Sequence, residues 1–205
     1  MEIRPVRRGE GARLRALRLT AIDEAPHAFF WSLRTEREIT ARQWERWADD
    51  PGNDRVMFVA VDGEAWVGMA GCSLRGDASA TLDATGMWVA PAARGLGLGE
   101  RLIDAIIEWG RARGAGRMEF AVTETNEVAI ALYRRLGFRP TGRRRALASY
   151  PELTGMFMAK NLNDHEPGAS MAKDHHDEAT GMLTAKATTT RNAGMLGATG
   201  SDDEG

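Results

Sequence analysis

The sequence is short of cysteine, tyrosine and long apolar runs, and each shortage narrows what the chain can be. One cysteine in 205 residues, Cys72, excludes an internal disulfide framework and a multi-cysteine zinc site. No apolar run approaches a membrane span, and the opening Met-Glu-Ile-Arg-Pro-Val-Arg-Arg has no signal-peptide core. A cytoplasmic protein without a membrane partner is expected. The net charge of -2 hides an asymmetry. Of the 27 basic residues 24 lie up to Asn161, against 21 of the 29 acids, so that part is slightly positive and the remainder negative. So small a surplus does not indicate nucleic acid; it is compatible with a small anionic ligand.

Aromatic residues are absent after Phe157. Residues 163–205 are rich in Gly, Ala, Thr and Asp, and cannot bury enough apolar surface to offset their ordering entropy. They are expected to form a disordered tail behind a domain at 1–162. Three of the four histidines (His165, His175, His176) fall in that tail. Without a fold to fix ligand geometry they read as solvated linker, and no metal site is expected.

The domain alternates strand and helix signals. Residues 2–6 read as a strand, and Leu14, Leu17, Leu19 and Ile22 recur at helical spacing until Pro26. Thr40 and Gln43 carry a capping-box pattern. Residues 56–61 and 65–70 flank Asp62-Gly63 as a hairpin. Further strands are expected at 81–90, 117–122, 138–143 and 154–160, with helices at 97–112 and 128–136 and Gly137 ending the second helix.

Glycine is placed where it costs most: 95, 97 and 99 alternate immediately before the apolar repeat Leu102, Ile103, Ile106, Ile107. A strand running into a glycine turn that opens a helix is a device for holding phosphate. Amides point into the turn, no side chain blocks approach, and the helix dipole favours an anion. The better-known phosphate motifs do not fit. A P-loop ends in Gly-Lys-Ser/Thr, where this turn has Gly-Glu-Arg, and the dinucleotide fingerprint G-x-G-x-x-G is here G-x-G-x-G.

The line Arg94-Gly95-Leu96-Gly97-Leu98-Gly99 resembles the pyrophosphate loop of the GCN5-related N-acetyltransferase (GNAT) superfamily. Met87-Trp88-Val89-Ala-Pro91 is similar to the strand leading into that loop. The run from Asn126 through Tyr133 to Gly137-Phe138 is similar to the family's second signature. The resemblance covers residues 1 to about 161 and implies an α/β (α+β) GNAT fold of the small bacterial branch. That fold has a mixed, mostly antiparallel sheet of six or seven strands, splayed between the fourth and fifth, with about four helices on its two faces.

It also implies residue roles. Acetyl-CoA, as cosubstrate, would lie in the splay, its arm along Met87, Trp88 and Val89. Its pyrophosphate would sit on the turn Arg94 to Gly99, with Asn126 contacting the arm. Tyr133 corresponds to the family's general acid, a phenol that stays protonated at neutral pH and can protonate a departing thiolate. Asp83 corresponds to a carboxylate that helps deprotonate the amine in related enzymes, and an exposed strand aspartate is the other reading. Glu119 and Glu124 are lesser candidates. The arginines from 134 to 145 read either as solvated or as contacts for the coenzyme's 3′-phospho-ADP end. Cys72 reads as a small core residue.

The acceptor region would draw on Asp23, Glu24, His27, Phe29, Phe30, Trp31 and residues 149–153. Aromatic walls with acids nearby favour a small amine or a peptide N-terminus over a lysine-rich protein. The expected activity is acetyl transfer to a primary amine by direct attack in a ternary complex. The alternative is an inactive acyl-CoA-binding module of the same fold. A homodimer is compatible with either.

Overall fold

A computed structural model describes residues 1–48, 54–76 and 80–163. The expected tail lies outside the described residues except for Asn163. The first strand, β1 (Glu2–Pro5), leads to α1 (Gly11–Glu24), which buries Leu14, Leu17, Ala21 and Ile22. Pro26 has no N–H for another helical turn, so α1 stops and a 3-10 turn (Pro26–Ala28) follows. A five-residue helix, α2 (Leu33–Arg37), starts at Ser32, whose side chain accepts from the Thr35 amide. Its Leu-Arg-Thr-Glu-Arg sequence carries no apolar period, and the expected elements did not include it. α3 (Ala41–Ala48) begins with the expected capping box. The Gln43 amide donates to Thr40 Oγ1 at 3.3 Å and the Thr40 amide to Gln43 Oε1 at 3.0 Å.

β2 (Arg55–Asp62) and β3 (Ala65–Leu74) form the hairpin, with Asp62 opposite Ala65, so the loop is Gly63-Glu64, one residue later than Asp62-Gly63. Then come β4 (Thr81–Val89), α4 (Leu98–Arg111), β5 (Arg117–Thr123), α5 (Glu127–Arg135), β6 (Arg139–Leu147) and β7 (Tyr150–Asn161). The closing strands run several residues further than their apolar content indicates, since long arginine-bearing stretches of β6 are held by pairing with β7. α5 ends as expected. Gly137 adopts φ +89, and the Phe138 amide returns to the Tyr133 carbonyl at 3.0 Å.

The strands form one seven-stranded sheet in the order β1-β2-β3-β4-β5-β7-β6, antiparallel throughout except between β4 and β5. α4 and α5 cover one face over Leu102, Ile103, Ile106, Met118, Phe120 and Phe138. α1 and α3 cover the other over Leu14, Ile22, Trp44, Val59, Met69 and Trp88. Among the described residues no helix is long and apolar enough to cross a membrane.

Two irregularities in β4 shape the molecule. Met69 and Gly71 of β3 pair with Trp88 and Thr85 of β4, so β4 carries one extra residue there, at a bulge where Gly86 adopts φ +67. The extra residue reverses the inward-outward alternation. Leu82 and Ala84 face the α4 core, and beyond the bulge so do Met87 and Val89, while Trp88 turns to the α1 core. The second irregularity is the short β4–β5 ladder. It pairs only Thr81 with Arg117, Leu82 with Met118 and Asp83 with Glu119. Past Asp83, β4 stays with β3 and β5 stays with β7, so the sheet opens into a V.

Candidate active site

A cleft of about 980 Å³ fills the V on the α4–α5 side. Its walls are β4 from Ala84 to Val89, the glycine turn, the first turns of α4 and α5, and Tyr133. Gly95 and Gly97 adopt φ +78 and +74, the left-handed region open chiefly to glycine, and Gly97 is the N-cap of the fourteen-residue α4. A Cβ built at either position meets nothing within 4 Å, so here glycine serves the backbone conformation and leaves open space over the turn. Helix-start amides and the positive end of the α4 dipole therefore face an unobstructed surface of the cleft. This donor set fits a pyrophosphate.

The loop residues divide by role. Leu96 is 56% exposed, whereas Leu98 is buried and anchors the helix start. Arg94 is held back along the strand. Its Nε donates to the Val89 carbonyl at 3.0 Å and its Nη2 to Glu24 Oε2 at 2.7 Å. The same carboxylate oxygen accepts from Trp88 Nε1 at 2.9 Å. The Trp88 bond first, then Arg94, holds the Glu24 carboxyl below the usual glutamate range. The Trp88 indole thus packs on the α1 side while Met87 and Val89 pack against the α4 core, and all three residues line the cleft. Glu100, whose sign opposes an anion, reaches toward Arg135 at 3.8 Å.

Asn126 lines the cleft and caps α5, its Oδ1 accepting from the Ala129 amide at 3.1 Å. Tyr133, about two turns along α5, is 7% exposed and packs on Phe120 with centroids 4.2 Å apart. Burial pushes its phenol well above the ordinary value, so it remains protonated across the neutral range.

A second cavity, of about 470 Å³, opens on the opposite face. The two cavities share Ala84, Thr85 and Gly86 of β4 and residues 120–123 of β5, so they meet through the V. The 3-10 turn closes its rim, with Thr123 Oγ1 donating to the His27 carbonyl at 2.6 Å. Asp83 and Glu119, neighbours across the closed end of the V, lie on this face, while Tyr133 lines the other cleft. Arg75 forms a two-armed ion pair with Asp83, and Arg143 Nη1 donates to the buried Glu119 at 2.6 Å.

Neither Asp23 nor Glu24, the acids expected near the acceptor, lines this second cavity. Glu24 lines the cleft of the glycine turn, and Asp23 lines neither cavity. Residues 149–153 also stay outside the second cavity, although Ser149 Oγ accepts from the Ser32 amide at 2.8 Å. Phe29, Phe30 and Trp31 do form its wall. Arg143 and Arg145 line it too, because β6 is the outer strand beside β7, and Arg144 pairs with Glu124 at 2.6 Å. Of the arginine group only Arg135 reaches the glycine-turn cleft. That β6 lies beyond β7 was the missing information, and strand order carries no local signal. Cys72 is buried, its thiol pushed up to about 12 by burial, as fits a small core residue. Among the described residues no group of three or more His, Cys, Asp or Glu side chains is placed to hold a metal ion.

A split sheet with a helix-start anion cradle on one face and a second cavity on the other defines a class of protein. Such a protein has room for an extended anionic ligand across the sheet and for a second ligand from the opposite side. The family model "Acetyltransferase (GNAT) family" matches residues 17–138, and the chain belongs to that family. It is similar to a mycothiol acetyltransferase of Rhodococcus jostii, 35% identical over 107 residues, which are 51% of this chain and 35% of that protein. The match thus spans about a third of the length of that relative. Among solved structures, a GCN5-related N-acetyltransferase from Kribbella flavida is 27% identical with a TM-score of 0.63, over 78% of this chain and 96% of that one. Salmonella typhimurium yncA, solved with its cofactor acetyl-CoA, shares the fold at 22% identity and a TM-score of 0.64, over 83% and 99% of the two chains.

Proposed function

We propose that the chain is a cytoplasmic, acetyl-CoA-dependent N-acetyltransferase acting on a primary amine of a small molecule or peptide N-terminus. The observation that carries this reading is the junction of the two cavities through the V, with the glycine turn on one side and an aromatic-walled pocket on the other. Backbone amides of Gly95 to Gly99 hold the pyrophosphate, and Met87, Val89 and Asn126 flank the arm. Acetyl-CoA supplies the activated acyl group: the amine forms a bond to the thioester carbonyl carbon and the carbon–sulfur bond breaks.

Tyr133 gives its phenolic proton to the departing sulfur. The amine's proton leaves on the other face, where Asp83 accepts it through water with Arg75 fixing the carboxylate. Burial suits Tyr133 to this role, since a phenol kept neutral donates and does not repel a thiolate. The inactive-module alternative has no feature in its favour. Free-thiol release from acetyl-CoA, measured across amines, amino acids, polyamines and peptides, tests the proposal. Amine-dependent release is expected, and coenzyme A binding without any such release supports the module.

A further inference from the structure

Charge in the second cavity is arranged unevenly. Four arginines line it, Arg18, Arg75, Arg143 and Arg145, against the two carboxylates Asp83 and Glu119. Three of the arginines are committed. Arg75 pairs with Asp83 and Arg143 with Glu119. Arg18 Nε and Nη2 donate to Glu36 Oε1 at 3.1 and 2.7 Å, and Glu36 lies buried behind the wall at 2% exposure.

Arg145 has no carboxylate partner among the described residues. Its guanidinium lies 4.1 Å from the Phe30 ring centroid and 5.6 Å from that of Phe157. Contact with a ring satisfies none of the guanidinium N–H groups, which stay available to grip a carboxylate with two parallel hydrogen bonds. The rings fix the group at the wall, so little side-chain entropy is lost when it is engaged.

Resting on the transferase reading, we infer that the acceptor is a small amine that also carries a carboxylate, an amino acid or a close analogue, and that Arg145 reads that carboxylate. The cavity, about 470 Å³, suits a molecule of that size. An acceptor bearing one amine and one carboxylate brings the negative charge that Arg145 lacks. A polyamine or lysine-rich peptide would bring further positive charge into a pocket whose surplus is already positive. Thr85 and Gly86, at the V, and Arg145, on β6, line the same cavity, so amine and carboxylate have separate ends to occupy.

The test compares an α-amino acid with its primary amide, beside a polyamine, in the thiol-release assay with the full chain. The amide's amine is the less basic and is more often neutral, so intrinsic reactivity favours the amide. A preference for the acid then reports recognition. The acid is expected to exceed its amide by about tenfold or more in kcat/KM. Arg145→Gln should abolish that preference chiefly through KM for the acid, and Arg145→Lys should restore part of it. Faster turnover of the amide or the polyamine overturns the inference, as does an Arg145→Gln variant that keeps the acid preference. If no compound releases thiol, the transferase reading fails. Calorimetric titration of acid and amide in the presence of coenzyme A still decides this one, with equal affinities refuting it.

Discussion

Substitution at Gly97 separates the conformational cost of the glycine turn from its role in binding. Gly97 sits at φ +74 and is the N-cap of α4. A Cβ there meets nothing within 4 Å, so an alanine does not clash with the protein and the glutamate side chain leaves the backbone into open space. Both pay the left-handed backbone penalty, about 1 kcal/mol, which for a domain of this size lowers Tm by roughly 2–4 °C. Beyond that shared term, Gly97→Glu places a carboxylate over the amides assigned to the pyrophosphate. Affinity for coenzyme A is expected to fall at least about tenfold relative to Gly97→Ala, or about 1.4 kcal/mol. Calorimetric titration gives the affinities and thermal denaturation by circular dichroism the shared stability cost. Equal affinity in the two variants, both folded, would refute the placement of the anion on this turn.

Tyr133→Phe keeps the ring on Phe120 and removes the proton donor, so kcat should drop about a hundredfold with little change in KM for acetyl-CoA. An unchanged kcat assigns the residue to packing. The same variant tests a pH dependence. Tyr133 and Cys72 are raised from ordinary values of 10.0 and 9.0, so above those values only the unfolded chain releases their protons. Stability present below pH 9 is therefore lost as pH rises, and Tyr133→Phe should show a shallower loss above about pH 10 in urea titrations. Asp83→Asn should lower kcat/KM most at pH values where the free amine is largely protonated; a uniform loss across pH would give Asp83 a purely structural role with Arg75. A chain ending at Asn163 is expected to keep Tm and activity, because Leu162 is the last residue seen buried in the core. A fall in Tm would show that residues beyond it contribute to the fold.

Most of the fold was legible because its signals are local. The apolar spacing of α1 and α4, Pro26 after α1, the Thr40–Gln43 box and Gly137 after α5 each act within a few residues of chain. Gly95 and Gly97 likewise announced a turn whose backbone requires them. α2 was not legible, since five residues around a single leucine are held by a serine cap and by packing against α1, not by a period of their own.

Tertiary structure alone decided the features that make the site. The V exists because β4 and β5 pair over three residues and are then claimed by different neighbours, a competition between strands more than twenty residues apart. The bulge at Gly86 turns Met87 and Val89 to the α4 core and the Trp88 indole to the α1 core, which alternation from Leu82 alone would reverse. Strand order put β7 between β5 and β6 and so carried Arg143 and Arg145 to the second cavity, not to the glycine-turn cleft. Spacing along the chain reports the period of a helix or strand. It carries no record of which distant backbone will satisfy a strand's free edge, and that pairing set the charge of the pocket.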